Sequence, residues 1–350
     1  MDNAFYLDLA GKHGGMPVGT DLVLHEQPDP QAVKMDGGRL GAVIVEAASR
    51  YRTPVAMPLM DLMLEKRHML RLLGIPEDQI PTWHFPDVPT AGARARIREG
   101  LTAALDPQLQ AHVDSISHVA RTTSLHAVGM SIGPFSLATK LLGDPITPVY
   151  LSGMGMTAND EPDVARLDAV LELAFQTVMR SLEAQIAAGA QSIFIAEPAG
   201  NKVFFSPNQL EAGADIFERY VIQWNRRIAE RLRAAGVHLL FHCCGELVDP
   251  MVQAYGRLGA SLISLGSSRD LVHDAGLLPE NIVLYGNLPS KKFYSDELIS
   301  ADEVRLQSAG LRSRMRACGH PFILGTECDV LSVPGCEAQL KAKLEAIVNT

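Results

Sequence analysis

Beyond residue 120 the chain alternates two hydrophobic patterns. Short apolar runs that read as strands, with polar residues or glycine at their ends, recur at His126–Phe135, Ser192–Glu197, Val237–Gly245, Leu262–Gly266, Ile282–Asn287 and Pro321–Cys328. Between them lie stretches of helical period. In Asp163–Ala187 the stripe Val164, Leu167, Leu171, Ala174, Val178 and Leu182 predicts an amphipathic helix closed by Gly189. Ser206-Pro207 offers a hydroxyl cap and a first-turn proline for a long helix to about Ala235, which Gly236 stops. Asp249–Leu258 reads as helix, and Ser300-Ala301-Asp302-Glu303 as a capping box opening a helix that Gly319 ends. Glu337–Val348 closes the chain as helix.

Upstream the pattern is less regular. Thr53–Asp61, apolar and broken by prolines, reads as a short first strand, Pro17–Leu24 alternates like a strand, and Leu40–Ala48 reads as helix. Strands that are apolar throughout, rather than alternately, belong to a parallel sheet covered on both faces. The expected fold is therefore an α/β chain forming one (β/α)8 TIM barrel over residues 1–350. It carries an N-terminal extension over residues 1–50 and a helical insertion over 62–121, after the first strand, as a lid or partner surface or as plain padding. An open doubly wound sheet is the alternative, but it does not bring six strand ends to one centre.

Polar or special residues gather at the C-terminal ends of these strands: Asp61, Glu197, His242, Cys244, Asn287 and Cys328. In a barrel that rim carries the active site. In His242-Cys243-Cys244-Gly245, strand alternation sends His242 and Cys244 to one face and Cys243 to the other. An imidazole and a thiol so placed fill two positions of a zinc ion, and Cys328, ending another apolar strand, offers a third. Each also has a plain structural reading, as a hydrogen-bonded histidine or a small buried hydrophobe. Cys243 is expected in the core, and Cys318 and Cys336 in structural roles. The methionines at 57, 60, 63, 130, 154 and 156 read as core filling rather than as a soft surface for a large ring.

Composition narrows the class. The chain has 350 residues, 47% of them hydrophobic, and a formal net charge of −9, which speaks against nucleic acid and against an anionic membrane surface as partners. Five cysteines in such a length are not a disulfide framework and fit a reducing compartment. The start lacks the basic and apolar segments of a signal peptide, and no apolar run reaches a membrane span, so the expected location is cytoplasmic.

Three segments carry a family resemblance: Pro58-Leu59-Met60-Asp61-Leu62, Gly133-Pro134-Phe135-Ser136-Leu137-Ala138 followed by Leu142-Gly143, and Leu284-Tyr285-Gly286-Asn287-Leu288. With them the chain resembles the uroporphyrinogen decarboxylase superfamily over most of its length. Its decarboxylases bind porphyrinogen carboxylates with an arginine-rich N-terminal segment, whereas residues 1–49 here contain Arg39 alone. They also typically end the seventh strand in Gly-His, where this chain has Thr326-Glu327-Cys328. The other branch, the corrinoid-dependent methyltransferases, binds zinc through His-x-Cys and a distant Cys, which His242, Cys244 and Cys328 match.

The resemblance then implies methyl transfer from methylcobalamin, carried on a separate corrinoid protein, to a zinc-activated thiol such as coenzyme M. Homocysteine, another thiol or tetrahydrofolate are alternative acceptors. In-line attack would leave cob(I)alamin and a methyl thioether. Glu197 stands as a fourth resting ligand, a proton acceptor for the thiol, or a partner orienting the His242 ring. Asp61 either serves the substrate or caps the following helix. The competing readings are a metal-free decarboxylase-type lyase, a zinc thiol-alkyltransferase using no corrinoid, and a non-catalytic corrinoid-binding partner. The expected assembly is a monomer or homodimer.

Overall fold

A computed structural model describes residues 3–12 and 14–350. Seven parallel strands form one sheet in sequence order: β1 Val55–Ala56, β2 His126–Ile132, β3 Ser192–Ala196, β4 His238–Cys243, β5 Leu262–Leu265, β6 Val283–Leu288 and β7 Phe322–Thr326. Their two faces are buried in different ways. Val128, Met130, Phe194, Leu240, Leu262, Val283, Tyr285 and Ile323 pack together inside the barrel. Ile193, Ile195, Leu239, Phe241, Cys243, Ile263, Leu265 and Leu284 point outward under the helices. This double burial is why the strands read as continuous apolar runs.

The architecture is the TIM-barrel-like α/β fold anticipated, with seven paired strands among the described residues where the barrel reading expects eight. Between β7 and β1 runs an irregular extended stretch instead. The Met16 amide donates to the Leu324 carbonyl (2.7 Å) and the Val330 amide to the Val18 carbonyl (3.0 Å). The Thr20 hydroxyl reaches the Met57 carbonyl (2.8 Å). Pro17 has no N–H to give a ladder, and the chain turns into a helix, Thr20–His25, almost at once. The strand expected over Pro17–Leu24 is thus corrected. Its apolar residues Leu22, Val23 and Leu24 are all buried, a pattern that a short helix sunk in the core produces as readily as a strand.

Helices at Leu64–Leu72, Ala91–Gly100 and Pro107–Thr122 occupy the stretch between β1 and β2. Pro107–Thr122 lies so close to Gly37–Arg50 that a Cβ on Gly37 or Gly41 would collide with Asp114 or His118. The single long helix expected from Ser206 is divided: Pro207–Glu211 stops at Gly213 (φ +89°), and helix resumes with a π turn at Glu218–Ile222 and continues over Gln223–Ala234. Further on, the capping box holds, with Ser300 Oγ accepting from the Glu303 amide and Glu303 from the Ser300 amide, and Gly319 ends that helix in the left-handed region. The last helix spans Glu337–Val348.

The helix Ala4–Lys12 closes the end of the barrel opposite the strand C-termini. The Tyr6 hydroxyl meets Ser192 Oγ (2.6 Å), His126 Nε2 meets the same oxygen (2.7 Å), and Phe5 stacks on the His126 ring. His238 lies beside them, its Nδ1 on Ser261 Oγ. Burial, helped by His238, pushes His126 from 6.5 down to about 4. The unfolded chain therefore binds this proton more readily than the folded one, so stability is full above the ordinary histidine range and falls as pH drops from about 6.5 towards 4. His126→Gln is expected to flatten that part of the stability–pH curve, as urea unfolding across the range would measure; an unchanged slope would refute the assignment.

Candidate metal centre

β4 delivers the first two donors by simple alternation. Leu240 and His242 face the barrel interior with Cys244 just beyond the strand, while Cys243 turns outward into the core, fully buried, its Sγ 3.7 Å from the Gly200 carbonyl. β7 brings up the third. The ligand atoms of His242, Cys244 and Cys328 all lie within 4.8 Å of one another. Their separation in sequence is closed by the sheet itself, with three parallel pairings joining β4 to β7 through β5 and β6.

The chemistry of this group fits a soft divalent metal. His242 is buried, its Nδ1 is held by Ser264 Oγ at 3.0 Å, and its Nε2 has no hydrogen-bond partner among the described residues. A buried ring nitrogen left bare beside two thiols is the arrangement expected of a ligand. The two thiols act on each other: the neighbouring Cys328, outweighing burial and aided by His242, holds Cys244 below the usual thiol range, while Cys244 and burial hold Cys328 above it. Cys328 Sγ also lies 3.9 Å from Met60 Sδ, and Phe194 stacks on the His242 ring at 5.3 Å.

The surrounding loops are tied to one another. Asn287 Nδ2 donates to the carbonyls of Gly266 and Arg269 (both 2.9 Å), fixing the loop after β5. Glu327 accepts from the Ser267 amide (3.0 Å) and faces Lys291 at 3.7 Å, whose Nζ is 3.5 Å from the Cys244 carbonyl. A side chain on Gly266 would meet the Cys244 backbone at 2.7 Å, so this close approach requires glycine.

Glu197 and Asp61 lie apart from the three donors. Glu197 is fully buried behind the sheet, Oε1 accepting from the Ser136 amide (2.6 Å) and Oε2 from Asn225 Nδ2 (2.9 Å). Burial raises its carboxyl despite these bonds. The partner of the His242 ring is Ser264, a residue the sequence reading passed over. Its signal was legible: Ser264 is the one polar residue in Leu262–Leu265, and it pairs in register with His242. Asp61 accepts from the Met63 amide and from Gln108 Nε2, both at 2.9 Å, at the start of the helix Leu64–Leu72. A second group of donors, Asp249, His273 and Asp274, surrounds Arg269, whose guanidinium already supplies the positive charge.

Below the donors the barrel interior is a narrow chamber. Met57, Met60, Phe194, Leu240, Tyr285 and Ile323 line it with His242 and Cys328, down to Tyr6 and Leu9 at its floor. No Arg or Lys is among the described residues lining it.

Residues 41–339 match the uroporphyrinogen decarboxylase (URO-D) family. The chain belongs to that family. Its similarity runs to both of the family's branches. It is 24% identical over 164 residues to the methylcobamide:CoM methyltransferase MtbA of Methanosarcina mazei, a stretch covering 47% of this chain and 43% of that one. It is 27% identical over 199 residues to the uroporphyrinogen decarboxylase of Gluconacetobacter diazotrophicus, covering 57% and 52%. These matches thus span about half the length of the curated relatives. A solved methyltransferase structure from Methanosarcina mazei superposes with a TM-score of 0.67 at 14% identity over 97% of this chain and 95% of that one, which shows the shared fold. Among the described residues no helix is long and apolar enough to cross a membrane.

Within this family member, two substitutions separate site from scaffold. A zinc ion held by these three donors would be bound about 10-fold or more weakly in Ser264→Ala, which frees the imidazole to rotate, as a chelator competition would measure. Glu197→Ala strips partners from Ser136 and Asn225 and is expected to cost about 2–3 kcal/mol in denaturant unfolding while leaving metal stoichiometry unchanged. Loss of metal in the Glu197 variant would return that residue to the centre.

Proposed function

We propose that this chain is a zinc-dependent methyltransferase that moves a methyl group from a methylcorrinoid, carried on a partner protein, to a small thiol. The observation that carries the reading is the convergence of one bare imidazole nitrogen and two thiols at the C-terminal mouth of the barrel. Similarity to the MtbA methyltransferases supports the direction of the chemistry.

His242, Cys244 and Cys328 would hold the zinc, leaving a position for substrate. Zinc in such a site lowers the pKa of a bound thiol so that it stands as a nucleophilic thiolate at neutral pH. The chain's own residues do the rest. With Ser264 accepting from His242 Nδ1, the lone pair would stand on Nε2, free for the metal. Phe194 packs on the His242 ring and Met60 against Cys328. The sulfur of the acceptor forms its bond to the methyl carbon as the cobalt–carbon bond breaks, the electron pair remaining with the corrinoid. The acidic surface, at net −9, and the helices over residues 62–121 are available for transient docking of the donor protein.

The decarboxylase reading lacks its binding groups. Arg39 lies exposed on the outer helix Gly37–Arg50, and the carboxyl oxygens of Asp61 are each engaged by a local donor. A substrate bearing many carboxylates finds no Arg or Lys among the described residues that line the chamber.

Metal analysis of the purified protein tests the reading directly. About one zinc per chain is expected, lost in His242→Ala and in Cys328→Ala, together with demethylation of methylcobalamin in the presence of a thiol. Zinc-free wild type, prepared without chelator, would sink the proposal. Zinc without any use of methylcobalamin would favour thiol alkylation from another electrophile.

A further inference from the structure

The barrel chamber carries information about the thiol itself. Its walls are apolar, yet unpartnered polar atoms collect in it. His242 Nε2 stands at the metal end; Tyr51, Thr326 and Asp329, which also line the chamber, each carry a buried oxygen (Oη, Oγ1 and Oδ1) without a hydrogen-bond partner among the described residues. Asp329 follows the ligand Cys328 directly and is only 7% exposed. A carboxyl oxygen buried with nothing to accept from is costly, and a native fold keeps such a group where something binds it.

We propose that Asp329 receives a cationic group on the methyl acceptor, so that the substrate is a small thiol bearing an ammonium rather than a sulfonate or carboxylate terminus. This inference rests on the thiol-activation reading above and narrows it. The charge of the chamber favours it: the described lining residues include Asp329 and no Arg or Lys that could hold an anionic tail. Lys291, the cation close to the centre, points to the Cys244 carbonyl and Glu327 from the loop after β6 and is not part of the chamber wall. Size favours it as well. A chamber volume of about 50 Å³ admits about three or four water-sized groups, which suits a two-carbon tail. With the sulfur at the metal and the ammonium at Asp329, Tyr51 Oη is left to accept a second hydrogen bond from the same group.

Three thiols of equal chain length isolate the end group: 2-aminoethanethiol, 2-mercaptoethanol and 2-mercaptoethanesulfonate. Each is titrated calorimetrically into the zinc-loaded protein, with a thiol-free matched salt as control. The ammonium thiol is expected to bind about tenfold tighter than the neutral one and the sulfonate weakest, since a charge-assisted hydrogen bond in a buried site is worth about that factor. In Asp329→Asn, checked for full zinc content, the ammonium thiol is expected to fall to the affinity of the neutral thiol, which itself stays unchanged. Tightest binding of the sulfonate, or equal binding of all three in wild type, overturns the proposal even if the variant does not fold. A ranking that survives in Asp329→Asn overturns the assignment to Asp329. Failure of every thiol to bind the zinc-loaded protein would instead remove the thiol-activation reading on which the inference stands.

Discussion

Two thiols and an imidazole held within 4.8 Å of one another in an apolar barrel cannot all take their metal-binding forms without a cation among them. Coulomb repulsion between two thiolates at that range, in a medium far less polar than water, amounts to several kcal/mol. That repulsion drives the two thiols apart in acidity, Cys244 below the usual thiol range and Cys328 above it. The fold nonetheless spends effort to assemble them. Seven strands in register, Asn287 bracing the loop after β5, and Gly266 pressed against the Cys244 backbone all serve to hold these atoms at one place. A cation among them, as proposed above, would account for the bare Nε2, the paired thiols and the position of Ser264 from a single cause.

Much of this was legible in the residues. Period-two alternation placed His242 and Cys244 on one face and Cys243 on the other, and the register of β4 with its neighbours agrees. Continuous apolar strands announced the parallel sheet, and Ser300, Glu303 and Gly319 marked the ends of their helix because each works through local backbone geometry. Where the reading failed, the cause lay outside the local window. Leu22, Val23 and Leu24 look the same in a strand and in a buried helical turn, and only the packing of residues from elsewhere decides. Gly213 broke a helix whose hydrophobic stripe gave no warning.

The buried polar residues show the same limit from another side. Glu65, fully buried, accepts from Ser131 and Ser181, and burial, opposed by these bonds, raises its carboxyl to about 7. None of these three residues stands near another in sequence, so their meeting behind β2 is a property of the fold alone. Glu197, prominent at the end of an apolar strand, proved to belong to this class. Strand parity carried the reason: Ile193, Ile195 and Glu197 share the outward face, whereas His242 points inward. Applied one step further, the alternation rule that found the cysteines would have turned Glu197 away from them.

The family's two chemistries divide on what the barrel does with charge. A decarboxylase must neutralise many carboxylates and so needs cations lining its cleft. Here the described lining of the cleft is mainly apolar, its floor sealed by the helix Ala4–Lys12 through Tyr6, Ser192 and His126, and its polar groups are hydroxyls, His242, Cys328 and Asp329, with no Arg or Lys among them. Low polarity strengthens every electrostatic interaction that remains. It would sharpen the pull of a cation held by the donors on a bound sulfur, and it magnifies the effect of any buried carboxyl, Asp329 included. One scaffold can thus host either reaction, and which of them it hosts follows from the side chains that alternate inward at the strand ends.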